Sequence, residues 1–570
     1  MNGNCITRIL SNDYSDFIFE YNNEEANVAE EYKRFCAQFA SDRFVSIYVD
    51  PTGTPALSVD EYSYTAIPKL YGLMDSTAAE ATGSLRLQNL TGFGLAGRGV
   101  IVGFVDTGID YTNKMFMTSG GQTRIIGIWD QTDQSGNPPV NLIYGTEYTK
   151  EDIDRAIRST NPYEVVPHVD TNGHGTFLAG VACGREDVEN SFVGTAPECQ
   201  IAVVKLKKAK EYLKEFYLVA DTDEVYQEND IMLGVRYLLD ISRRERKPLV
   251  VVIGLGTSLG DHDGGGPLPQ MLDEVGSFPG CCVVVCGGNE GNKGLHYQGV
   301  MSDEVEYQDV EIRVGEQENG FVLELWGQTP DVYSVAFTSP LGETVPRIAA
   351  RVGLSDEISF LLEETRIYVD YRIVESGNGS ELIFMRFVKP SPGIWKIRVF
   401  GSNILNGTYH MWLPLREFLS ADTYFLEPEP DVTITEPGNA QNVITLSAYD
   451  NTNGAFYIDS GRGYTRSTRI KPDLAAPGVS VYGPGISVRE ENVFNRQSGT
   501  SISAALTAGV CAQFLEWGII RGNEPYMKTV YIKNYLIRGA LRERNVEYPN
   551  RQLGYGKVDA YESFRILTTT

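Results

Sequence analysis

Three short stretches hold side chains that could act together on a carbonyl group. IVGFVDTGID ends an apolar run in Asp106, DTNGHGTFLAG sets His174 between two glycines ahead of an apolar stretch, and QSGTSISAALTAGV puts Ser501 at the opening of an alanine-rich helix. Each alone has an ordinary reading: a strand-end Asp turns or caps, a histidine beside glycines caps or packs, and a serine before an alanine run is an N-cap. Together, in the order Asp, His, Ser, they are the set that nucleophilic acyl transfer requires. A serine hydroxyl is a weak nucleophile at its own pKa, so an imidazole must take its proton during attack and return it to the leaving amine. The carboxylate holds that imidazole in the right tautomer and stabilises the imidazolium. A helix start adds the positive end of the dipole and backbone N–H groups beside the oxyanion. Ser501 therefore reads both as a helix opener and as a candidate nucleophile.

Such groups meet where strands of an open α/β sheet end. From residue 99, short β-branched runs (GVIVGFVD, CQIAVVKL, PLVVVIGLG, CCVVVCGGN) end in glycine or polar residues and alternate with helical patterns such as DEVYQENDIMLGVRYLLDISRR. This predicts an α/β fold, a parallel sheet with helices on both faces. The rhythm breaks after GGNEGN. Residues 298–430 offer strand after strand, from VEYQDVEIRV to GTYHMWLP, and predict an inserted all-β jelly-roll or sandwich domain with Trp326, Trp395 and Trp412 in its core. TSISAALTAGVCAQFLEWGII resumes the helical pattern, so the host sheet continues beyond the insert. Upstream, residues 14–50 read strand, helix, strand, and the polar stretch DPTGTPALSVDEYSYTAIP reads as a linker.

Composition narrows the partners. With 49 Lys and Arg against 75 Asp and Glu, the net charge of −26 disfavours nucleic acid or an anionic membrane surface. No basic segment leads into an apolar core at the start, so no secretory signal is expected, and no uninterrupted apolar run predicts a membrane span. The eight cysteines lie mostly in apolar stretches, which predicts buried free thiols in a reducing compartment and not a disulfide scaffold. Their spacing from the five histidines closes no zinc site, and no metal or cofactor is expected.

VDTGID, NGHGTFLAG and GTSISAA resemble the three catalytic motifs of the subtilisin-like serine proteases, and KPDLAAPG and LGYGKVDA resemble further segments of that family. The resemblance implies a subtilisin-like fold over residues 65–297 and 431–570 and peptide-bond hydrolysis by Asp106, His174 and Ser501. It makes VVVCGGNEGN the oxyanion segment, with Asn289 as side-chain donor, and VVVIGLGTS the substrate-binding strand, with Gly254, Leu255 and Gly256 against peptide backbone. Gly254 stands where the family usually has serine. Residues 1–64 are similar to a subtilase propeptide that assists folding and threads its tail through the active site, with self-cleavage placed at Tyr64–Thr65 within about ten residues.

A short propeptide, no signal segment and a jelly roll between the Asn and Ser motifs resemble the Csp proteases of clostridial spores. That likeness implies an intracellular, spore-associated protein whose propeptide stays in the cleft as a partner, and whose protein substrate is the zymogen of a cortex-degrading enzyme activated in germination. The competing readings are a general intracellular subtilisin-like protease, a propeptide-blocked pseudoprotease that binds and signals, and a sugar-binding role for the jelly roll.

Overall fold

The structure, a computed structural model, describes residues 2–22, 25–52, 54–73, 82–89, 94–220, 222, 224–351, 355–487 and 493–569. Its centre is an eight-stranded sheet in the spatial order Leu474–Pro477, Ile444–Tyr449, Cys281–Cys286, Leu249–Ile253, Ile101–Asp106, Gln200–Lys205, Ile125–Asp130, Thr146–Thr149. All neighbours run parallel except the last pair. Strand alternation sends Val102, Phe104, Val250 and Val252 to one face, where they join the core of the helices His174–Cys183 and Thr500–Leu515. Ile101, Val105, Val251 and Ile253 face the other way, against the helices Glu228–Glu245 and Pro267–Ser277. Two covered faces explain why these strands read as continuous apolar runs. The segment 500–520 is long and apolar enough to cross a membrane by length and composition, but 89% of its apolar 18-residue window is buried in the fold.

Between Cys281–Cys286 and Ile444–Tyr449 the chain makes two antiparallel sheets. One has the order His296–Val300, Thr408–Trp412, Gly320–Gly327, Glu381–Val388, Arg366–Arg372, Ser355–Ser359; the other Thr344–Ile348, Val332–Thr338, Gly393–Ser402, Tyr307–Val314, Tyr424–Phe425. Ile312, Val335, Trp395 and Ile397 of the second sheet share a core with Phe321, Leu323, Met385 and Met411 of the first. The insert thus begins at His296, two residues ahead of the expected boundary. Trp395 lies in its core, whereas Trp326 and Trp412 pack with the host. At that seam Trp412 stacks on His262 of the host (ring centroids 4.0 Å) and on His296 (4.8 Å), and His296 Nε2 meets His410 Nδ1 at 2.9 Å. Burial lowers His262 to about 4 and His296 to about 3, and holds His410 well below the usual histidine range.

The N-terminal unit has a three-stranded antiparallel sheet, Ser15–Glu20, Phe44–Val49, Gln38–Phe39, and a helix Glu25–Glu31, preceded by a helix Asn2–Leu10 that no periodicity had indicated. Cys5 and Cys36 form a disulfide, which corrects the expectation of free thiols throughout; the other six cysteines are buried and free. So small a unit has little core of its own, the setting in which a cross-link helps most. It docks through Asp16, wholly buried, which accepts hydrogen bonds from Lys210 Nζ (2.5 Å), Gln227 Nε2 (2.7 Å) and Asn229 Nδ2 (3.2 Å). The stretch read as a linker is not one. Val59, Tyr64 and Ile67 belong to the host core, and the Arg372 guanidinium of the insert donates to the carbonyls of Val59 and Asp60.

Candidate active site

Asp106 is the last residue of its strand, His174 the first of its helix and Ser501 the second of its own. His174 Nδ1 lies 2.8 Å from Asp106 Oδ1, and its Nε2 lies 3.2 Å from Ser501 Oγ. Exposures of 1%, 4% and 0% place all three out of bulk water, where such hydrogen bonds are strongest. An ionised carboxylate only accepts, so Nδ1 donates to Asp106 and Nε2 remains the acceptor facing the serine hydroxyl.

The local backbone is set by a carboxylate that the motif reading did not single out. Asp170 accepts from Gly173 N, Thr176 N and Thr176 Oγ1, and from Thr107 Oγ1. Thr107 Oγ1 in turn accepts from Gly175 N, tying the histidine turn to the residue after Asp106. Gly173 has φ +91°, and a Cβ on Gly175 would overlap the Gly108 carbonyl, so both glycines beside the histidine are sterically required. The only signal for Asp170 in the sequence was its place three residues before Gly173, the spacing of a capping carboxylate.

Asn289 Oδ1 accepts from Thr500 N and Thr500 Oγ1, both at 3.1 Å, and Thr500 Oγ1 accepts from Gly288 N. Anchored so, the amide turns its N–H2 end away from Thr500, the residue next to Ser501. The adjoining Glu290 is buried, accepts from the Arg416 backbone N–H at 3.1 Å, and is pushed up to about 7 by burial. Gly254 has a physical reason for lacking a side chain. A Cβ there would lie 2.7 Å from Leu178 Cδ1, 3.2 Å from His174 Cε1 and 3.3 Å from Asp106 Oδ2.

Leu255 and Gly256 pair antiparallel with Leu73 and Gly72, and the other edge of that segment, Leu70–Leu73, pairs with Tyr226 and Gln227. The chain's own strand therefore fills a three-stranded ribbon leading toward Gly254 and the triad. Tyr64 and Thr65 lie elsewhere. Tyr64 is buried in a 3-10 turn and donates through its hydroxyl to Glu324 Oε1 of the insert at 2.6 Å, so the residues expected at the cleavage point are upstream of the cleft. Among the described residues, no group of three or more His, Cys, Asp or Glu is arranged to hold a metal ion.

The subtilase family matches residues 97–309 and 422–556, the two stretches that flank most of the insert and carry Asp106, His174, Gly254, Leu255, Gly256, Asn289 and Ser501. The chain belongs to the subtilase family. Among solved structures this subtilase is similar to the CspB protease of Clostridium perfringens, 31% identical over 86% of this chain and 96% of that one, with a TM-score of 0.76. It is 23% identical to the PII-type proteinase of Lacticaseibacillus paracasei over 81% of this chain, and 30% identical to the subtilisin-like protease SBT2.2 of Arabidopsis thaliana over 20% of it. The alignments span 25% and 15% of the length of those two curated relatives.

Proposed function

We propose that this subtilase is a serine endopeptidase that cleaves its own N-terminal unit, keeps it in the cleft, and then cuts one specific protein. Ser501 Oγ attacks the scissile carbonyl while His174 Nε2 takes its proton, Asp106 stabilises the imidazolium, and the Asn289 amide donates to the oxyanion. His174 then protonates the leaving amine, and water repeats the sequence on the acyl-enzyme. Gly254, Leu255 and Gly256 hold the substrate backbone by strand addition.

The observation that carries the reading is the strand Leu70–Leu73 lying along Leu255–Gly256 with the triad beyond its end. The pairing ends with Leu73 opposite Leu255, the residue next to Gly254, whose position borders His174. The end of this pairing supports a self-cleavage bond just past Leu73, at Met74–Asp75, ten residues past the junction expected from the motifs and outside the described residues. A tethered strand competes at high effective concentration, which favours restricted cleavage over digestion. The likeness to CspB supports the zymogen of a spore cortex-lytic enzyme as the substrate and the spore as the setting.

Intact masses and N-terminal sequences of the wild-type and Ser501→Ala chains test this. The expected result is a wild type split after residue 74, its two pieces co-eluting, and an uncut Ser501→Ala chain. Two uncut chains would overturn self-processing. Comparable cleavage of many unrelated unfolded proteins would overturn the single-substrate reading.

A further inference from the structure

The insert reaches into the cleft through its closing segment, Leu415 and the 3-10 turn Arg416–Phe418. A Cβ added to Gly72 would overlap the Glu417 carboxylate and lie 2.9 Å from Leu415 Cδ1. Gly72 sits in a strand with no positive φ, so the backbone does not demand glycine there; a Cβ would instead need the Glu417 carboxylate to swing aside and the buried Leu415 methyl to yield. The roof is anchored to the host on both sides. Phe418 is buried in the host core and its carbonyl accepts from Ala220 N at 2.8 Å, while Arg416 N donates to Glu290, the neighbour of Asn289. Leu415 is buried, and Glu417 stands exposed at the mouth. Beneath the strand, Gly256 is equally confined, since a Cβ on it would overlap Thr435 Oγ1. The flanking positions differ. Tyr71 is fully buried in the core that holds Leu255, Leu268 and Met271, and Leu73 packs against the same cluster.

We propose that the insert is a specificity element: Leu415 and Glu417 restrict the cleft position opposite Gly256 to glycine, so that the chain cuts segments of the type aromatic, glycine, aliphatic, with the bond one residue further on. The restriction applies to the chain's own Tyr71-Gly72-Leu73 and to a protein substrate alike. It rests on the reading that Leu70–Leu73 occupies the substrate position.

The test follows self-processing of full-length chains by intact mass after cell-free synthesis, for wild type, Gly72→Ala, and Gly72→Ala with Glu417→Ala. Overpacking of this size slows the Gly72→Ala chain roughly tenfold or more, and removing the exposed Glu417 carboxylate restores most of the rate. A Gly72→Ala chain processed at the wild-type rate, or a slow one that Glu417→Ala fails to restore, overturns the restriction. A second measurement needs no folding variant: processed wild type is offered peptides containing Tyr-Gly-Leu-Met or Tyr-Ala-Leu-Met, and kcat/KM is expected to favour glycine by a similar factor. Equal rates overturn the proposal. A wild type that never cuts itself fails the underlying reading instead, a result distinct from cutting without regard to glycine.

Discussion

Asp106 and Asp130 each end a strand of the central sheet, with one strand between them, and each holds a histidine. The bonds are nearly alike: 2.8 Å from Asp106 to His174 Nδ1 and 2.7 Å from Asp130 to His168 Nδ1. The far nitrogen separates them. His174 Nε2 faces the Ser501 hydroxyl at 3.2 Å, whereas His168 Nε2 accepts from the Ile109 backbone N–H at 3.2 Å. A backbone donor with no chemistry of its own turns the second pair into a buried strut. An Asp–His pair becomes a proton shuttle only when its second nitrogen is left to a group that can react.

The largest effect should come from breaking each pair in turn. Asp106→Asn is expected to slow self-processing about 10⁴-fold, because the amide permits the wrong tautomer. Asp130→Asn is expected to leave the rate of the folded protein unchanged but to lower stability by about 3 kcal/mol, as loss of a buried partner does. Self-processing rates and thermal melts of both variants check this, and equal rate losses would erase the distinction. Next in size, Asn289→Ala should cost 10²–10³ in kcat, read as the rate of fluorogenic-peptide turnover at saturation, since only the oxyanion loses a donor.

Acid sharpens the comparison further. Burial pushes Asp130 up, but the hydrogen bonds from His168 and Thr132, with the charge of Lys205, outweigh it and hold the carboxyl at about 2. Its contribution is present above the ordinary Asp value of 3.8 and is lost only as pH falls toward 2. His262, His296 and His410 have no such carboxylate bond and are kept neutral by burial. Below the ordinary histidine value the unfolded chain takes up protons that the folded one excludes, so stability falls as pH drops from 6.5, by about 2 kcal/mol per histidine at pH 5. A melting temperature that stays flat from pH 7 to pH 5 would contradict this. Glu290 responds to pH in the opposite sense. Its folded pKa is raised, so stability declines as pH rises from 4.5 to about 7. Glu290→Gln keeps an acceptor for Arg416 and should gain roughly 3 kcal/mol at pH 8, and nothing at pH 4, in urea melts.

The triad was legible because each member ends a strand or opens a helix, and the local motif fixes that position. Gly175 and Gly254 were legible as glycines, though their cause, the Gly108 carbonyl and the Leu178 methyl, lies in other elements. The strand Leu70–Leu73 was hidden within a supposed junction because its two partners lie far along the chain at Tyr226–Gln227 and Leu255–Gly256. The histidine stack escaped for the same reason: His262, His296 and His410 share no local pattern, only a common neighbour in Trp412.

Gln227 belongs to two contacts at once. Its backbone pairs with Leu70 of the cleft strand, while its side-chain amide donates to Asp16 of the N-terminal unit. Occupancy of the cleft and docking of that unit are thus thermodynamically linked through one residue, and linkage is reciprocal. A substrate strand that takes the place of Leu70–Leu73 strengthens the docking of Asp16 by the same free energy with which that docking steadies the edge the substrate must join. The unit is in that sense a tenant of the enzyme as much as its guard.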